Sequence, residues 1–90
     1  MKKIQIIPLA KKKLERRGIP ENLIIETISY PTQVVDGYGG RNVAHRKYMI
    51  EDQEYLLRVI YEEKEEKIEI ITGYLTSQIT RYWKEPGNED

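Results

Sequence analysis

Apolar and polar positions repeat along this chain with two different periods, and the change falls near residue 31. Before it, the spacing is helical. Residues 9–17, LAKKKLERR, place Leu9, Ala10, Lys13 and Leu14 on one narrow face with basic residues around it, which predicts a helix. Pro8 suits the first turn of that helix, and Gly18 suits its left-handed terminator. Pro20 then opens a second helix over ENLIIETIS, with Leu23, Ile24, Thr27 and Ile28 at helical spacing, and Pro31 stops it. Residues 1–7 read as a short edge strand or an ordered lead-in.

From residue 32 the period is two. TQVVD at 32–36, RNVAHRKYMI at 41–50, EYLLRVIYE at 54–62 and KIEIITGYL at 67–75 predict four strands, the third rich in β-branched and aromatic residues. The connections between them are short, so consecutive strands should form an antiparallel meander. Ser77 is a candidate cap for a last helical turn through Gln78, Ile79, Arg81, Tyr82 and Trp83. The expected fold is α+β: two N-terminal helices packed on a four-stranded antiparallel sheet, with a short C-terminal helical turn. A single domain over 1–90 is expected, with 85–90 as a frayed tail.

Turn lengths set a provisional register. Pairing Ile50 with Glu54 puts Arg46 opposite Arg58 and Tyr48 opposite Leu56. Pairing Glu62 with Lys67 puts Arg58 opposite Ile71 and Ile60 opposite Glu69. One face then carries Tyr55, Leu57, Val59, Tyr61, Ile68, Ile70, Thr72 and Tyr74 as the core beneath the helices. The other carries Arg46, Tyr48, Arg58, Glu69 and Gly73, with His45 turned away from Arg58 towards the helices. Two facing arginines need an acid or a phosphate between them; Glu69 is the internal candidate and RNA phosphate the external one.

Composition narrows the chemistry. The chain has no cysteine, which excludes a disulfide scaffold, a thiolate zinc site, an iron–sulfur cluster and a cysteine nucleophile. With His45 as the single histidine, no histidine metal cluster and no metal or cofactor is expected. No apolar run is long enough to span a bilayer or to serve as a signal peptide, so a cytoplasmic protein without a membrane partner is expected. The formal net charge is +0, yet residues 1–20 carry Lys2, Lys3, Lys11, Lys12, Lys13, Arg16 and Arg17 against Glu15 alone. That local patch suits phosphate or an acidic partner. The run EEKEEK at 62–67 would repel RNA and reads as a soluble hairpin tip.

The segments LAKKKLERRGI, RNVAHRKY, YLLRVIYE and TGYLTSQITRYW, in this order over residues 9–84, resemble a small branch of uncharacterised prokaryotic proteins related to the RelE/ParE toxins of type II toxin–antitoxin systems. That branch carries a His-Ala pair where this chain has Leu9-Ala10, and an Arg where it has Lys13. The resemblance implies a toxin-like fold and a cognate small antitoxin protein as partner. It implies either metal-independent cleavage of messenger RNA, with the ribosome as a possible partner, or a non-enzymatic role such as binding DNA gyrase. A degenerate toxin keeping only its partner surface and a stand-alone nucleic-acid binder are further readings.

Metal-independent cleavage has to deprotonate a 2′-hydroxyl, protonate the leaving 5′-oxygen and stabilise the phosphorane. Arg58, which interrupts an apolar strand, is the first candidate for the last task, followed by Arg46. His45 is the side chain that titrates nearest neutrality. Arg81 and Tyr82 match the basic and tyrosine residues that follow the last strand in RelE-like toxins. The candidate catalytic set is therefore Arg58, Arg46, His45, Arg81 and Tyr82. The candidate RNA-binding set is Lys11, Lys12, Lys13, Arg16, Arg17 and Tyr48. The bland reading of the first cluster is a solvated helix face, and that of Tyr48 is packing.

Overall fold

The computed structural model of the chain describes residues 2–83, and the expected tail at 85–90 lies outside them. Strand β1 (Lys3–Ile6) leads into helix α1 (Pro8–Arg16) and helix α2 (Glu21–Ser29). Strand β2 (Gln33–Asp36), a 3-10 turn at Tyr38–Gly40, and strands β3 (Asn42–Ile50), β4 (Gln53–Glu63) and β5 (Lys67–Thr76) follow, then helix α3 (Ile79–Tyr82).

Pro8 takes the first helical position of α1, and Gly18 ends that helix at φ +69°. The amide of Ile19 donates to Leu14 O at 3.0 Å across this turn. The buried face of α1 is Ala10 and Leu14, whereas Leu9 is 61% exposed. From α2, Ile24, Thr27 and Ile28 are buried. Of these, Leu14, Ile24 and Ile28 meet Ala44, Leu57, Val59, Tyr61 and Ile70 of the sheet in one core cluster.

The sheet differs from the expected four antiparallel strands. It has five, in the order β1-β5-β4-β3-β2, and β1 runs parallel to β5 with Ile4 opposite Ile68 and Ile6 opposite Ile70. A parallel partner separated by both helices and three strands leaves no local mark on the sequence. The segment 3–6 alternates exposed and half-buried residues, so it also carries no continuous apolar run. The helical turn after β5 is α3; its N-cap position is Gln78, not Ser77, and no side chain caps it.

Register is the second difference. The β3–β4 hairpin closes through two residues, Glu51 and Asp52, at φ 50° and 66°, so that Ile50 pairs with Gln53 rather than Glu54. Such a turn needs left-handed backbone at both central positions, and Asn-Gly is its usual signature. Glu-Asp hides it. The slip by one residue places His45, not Arg46, opposite Arg58. In the next hairpin Glu62 pairs with Glu69, and an irregularity between Ile60 and Tyr61 shifts the ladder so that Arg58 faces Tyr74 and Val59 faces Gly73. Gly73 and Tyr74 therefore exchange the faces expected for them: Gly73 lies under Leu14 and Ile24, and Tyr74 joins Arg58. Replacing Glu51-Asp52 by Asn-Gly is expected to raise stability by about 1 kcal/mol, because both residues then adopt the turn without strain. A lowered denaturant midpoint in the double variant would contradict the two-residue turn.

Candidate functional site

Arg58 sits on the sheet face opposite α1 and α2, half-buried in the middle of β4. Its guanidinium is held from three sides. Arg58 Nε donates to His45 Nε2 at 3.0 Å, from the facing position on β3. Arg58 Nη1 donates to the Tyr74 hydroxyl, from the facing position on β5. Its Cζ lies 4.0 Å from the centre of the Tyr82 ring, contributed by α3. The other terminal nitrogen, Nη2, makes no hydrogen bond among the described residues. Cross-strand pairing explains why the first two contacts exist: facing residues of antiparallel strands share a face.

His45 is wholly buried, with 0% exposure. Because Nε2 accepts from Arg58, the ring proton belongs on Nδ1, which lies 3.3 Å from Gln33 Oε1. Burial, and then the Arg58 charge, push its pKa from 6.5 to about 4. At neutral pH it is therefore an uncharged strut that sets the angle of Arg58, with both nitrogens engaged. Burial likewise pushes the Tyr74 phenol up, against the pull of Arg58, so Tyr74 stays protonated.

The lowered His45 pKa makes stability pH-dependent in a definite direction. The unfolded chain takes up the proton near pH 6.5 and the folded chain only near pH 4, so the contribution is complete above 6.5 and is lost as pH falls towards 4. About 2 kcal/mol should be gone by pH 5. The urea midpoint of the protein should fall between pH 7 and pH 5 by more than that of His45→Gln. Equal falls in both proteins would reject a neutral buried His45.

The cluster extends to neighbours from the C-terminal segment. Trp83 stacks on His45 with ring centres 6.3 Å apart, and Lys47 Nζ lies 4.3 Å from the Trp83 ring centre. Tyr74 and Tyr82 meet edge to face at 6.4 Å. The exposed Arg81 lies 5.4 Å from the Tyr82 ring centre. Three cations, Lys47, Arg58 and Arg81, thus alternate with Tyr74, Tyr82 and Trp83 on one face. None of the three has a carboxylate within ion-pair distance among the described residues. Glu62 is held by Arg41 at 3.0 Å and by Lys64 at 3.3 Å, which keep its carboxyl below the usual range. Glu69 pairs with Lys67 at 3.1 Å, not with Arg58. Beside Tyr82 an open cleft of about 470 Å³ runs along β2, lined by Gln33, Val34, Val35 and Asp36.

Of the residues singled out from the sequence, the structure brings together Arg58, His45, Arg81 and Tyr82. It separates Arg46 and Tyr48 from them. Both lie on the helix-side face and fasten α2: Arg46 donates to Tyr30 O at 2.7 Å, and the Tyr48 hydroxyl donates to Glu26 Oε1 at 2.7 Å. Lys11, Lys12, Lys13 and Arg16 ride on α1, and Arg17 caps its end; all lie on the helix side of the sheet. There Arg17 donates to Gly73 O at 2.8 Å, while Lys11 reaches Glu21 at 3.7 Å. No local signal marks Lys47 or Tyr74 for this face, because the hidden two-residue turn and the ladder shift bring them beside Arg58, and Gln33 joins through its pairing with His45 across β2 and β3. Among the described residues no group of three or more His, Asp or Glu side chains is placed to hold a metal ion, and no helix is long and apolar enough to cross a membrane. Comparisons with protein families, with curated proteins and with solved structures found no match for this chain.

Proposed function

We propose that this chain is a toxin-like, cytoplasmic RNA-binding protein that cleaves messenger RNA without a metal, as its resemblance to RelE/ParE toxins implies, and that a small antitoxin protein restrains it. The observation that carries the reading is Arg58: a half-buried guanidinium oriented by His45 and Tyr74, with no carboxylate partner among the described residues. A guanidinium so placed suits a phosphodiester oxygen. The alternation of Lys47, Arg58 and Arg81 with Tyr74, Tyr82 and Trp83 suits single-stranded RNA, whose bases stack on aromatic rings while cations follow its backbone.

In the proposed reaction the 2′-hydroxyl gives its proton to solvent water as its oxygen attacks phosphorus, the bond to the 5′-oxygen breaks, and that oxygen takes up a proton in turn. Arg58 offsets the charge that builds on the non-bridging oxygens. Tyr74, protonated at neutral pH, is the side chain best placed to give the leaving 5′-oxygen its proton.

One observation favours a second reading. His45 has both nitrogens engaged and a pKa of about 4, so it is neither an acid nor a free base at neutral pH. A non-enzymatic module, binding gyrase or another protein through this face, needs no such group. Tightly induced expression with total RNA profiled from the same cells separates the two. Growth arrest with messenger RNA loss supports cleavage. Arrest with intact RNA supports a protein target. Normal growth with abundant folded protein rejects a toxin.

A further inference from the structure

We propose that the outer edge of β1 is a docking site for an extended acidic segment of a partner protein, which adds a strand to the sheet there. This inference does not depend on the reading of the Arg58 cluster, which lies on β3, β4 and β5.

β1 ends the sheet, with β5 on its inner side and no described strand on its outer side. The amide of Lys3 donates to Glu66 O and that of Ile7 to Ile70 O. Alternate backbone groups of a parallel strand point the same way, so those of Ile4 and Ile6 point outward. A run of outward amides and carbonyls is a template for another strand.

The edge also borders a cleft of about 530 Å³, lined by the whole of β1 and by Lys11, Glu21, Ile25 and Lys67. Ile25 lies 43% exposed on its helix wall, a site for an apolar side chain of the incoming strand. Basic groups rim the cleft. Lys3 has no carboxylate partner among the described residues. Lys11 reaches Glu21 at only 3.7 Å, with both side chains more than half exposed. Lys67 is shared between Glu69 and Gln5.

Charge decides the occupant. A second copy would bring two basic N-terminal segments together, each carrying Lys2, Lys3, Lys11, Lys12 and Lys13. Edge lysines also discourage indiscriminate strand pairing, so a partner has to bring acids to neutralise them. RNA would satisfy the lysines but has no alternating donors and acceptors to match Ile4 and Ile6. An extended peptide with alternating acidic and apolar residues satisfies the edge, the lysines and Ile25 together.

The test uses the full chain and synthetic octapeptides in which glutamate alternates with valine or isoleucine. The acidic peptide should slow amide hydrogen exchange at Ile4 and Ile6 by about tenfold or more, without slowing Val59. The same peptide N-methylated at alternate residues, and one with lysine replacing glutamate, should bind about tenfold more weakly or worse. Lys3→Glu with Lys11→Glu should weaken the acidic peptide by a similar factor and leave the thermal midpoint unchanged. The proposal is overturned by peptide binding that leaves Ile4 and Ile6 exchange unchanged, by no binding at about 1 mM peptide, or by equal binding of the lysine peptide. Two further outcomes overturn it by naming another occupant. A single-stranded RNA octamer that displaces the peptide would mark a nucleic-acid surface. Concentration-dependent protection of Ile4 and Ile6 without peptide would mark an interface between copies.

Discussion

Arg58→Ala is expected to lower RNA cleavage by about two to three orders of magnitude, the loss seen when one preorganised donor to a developing oxyanion is removed. The size follows from the setting. Arg58 is held before substrate arrives, by His45 at Nε and Tyr74 at Nη1, so its orientation costs little when charge develops. Arg58→Lys should recover only part of the activity, because a lysine is a point charge without the fork that His45 and Tyr74 grip. The substitution also leaves the buried Nε2 of His45 without a donor, at a cost of about 1–3 kcal/mol, so thermal melts have to accompany the assay. Arg46→Ala is the control, since Arg46 holds α2 from the other face and should retain cleavage. Equal losses in Arg58→Ala and Arg46→Ala, or full activity in folded Arg58→Ala, would remove Arg58 from the site.

Leu57→Ala is expected to produce the largest loss of stability. Leu57 is 0% exposed in the middle of the central strand and belongs to the cluster that joins both helices to the sheet. Truncating a buried leucine costs about 2–5 kcal/mol, made up of lost transfer free energy and the cavity left behind. Domains of this size have about 5–15 kcal/mol in total, so the thermal midpoint should fall by about 10 °C or more. Leu9→Ala, at 61% exposure on α1, should change it little. A fall of only a few degrees for Leu57→Ala would show that the core closes over the gap or is not centred there.

Much of the architecture was legible because its signals are local. Pro8, Gly18, Pro20 and Pro31 act on their own backbone, and they bracket α1 and α2 near the observed limits. Period-two alternation located β3, β4 and β5 to within a residue or two. Leu57, Val59, Tyr61 and Ile70 fall on the helix-side core in pattern and structure alike, because position within a strand fixes alternation whatever the neighbour does. Arg58 stood out by interrupting an apolar run.

Relations between strands were not legible. A three-residue turn is the natural reading of Glu51-Asp52-Gln53 and pairs Arg46 with Arg58, whereas the backbone turns through Glu51 and Asp52 alone. That single residue decides whether His45 or Arg46 meets Arg58, since a one-residue slip turns every side chain to the other face. The shift at Ile60/Tyr61 does the same for Gly73 and Tyr74.

By itself, then, the sequence determined the element types, most of their limits, the helix-side core and the cysteine-free, histidine-poor chemistry, all of which follow from residues acting on their own backbone or alternating along one strand. The parallel pairing of β1 with β5, the burial and neutral state of His45, and the gathering of Tyr74, Tyr82 and Trp83 around Arg58 were decided only by the tertiary structure. These depend on register and on contacts between segments far apart in the chain, and a pairing offset by one residue leaves the same local pattern in the sequence.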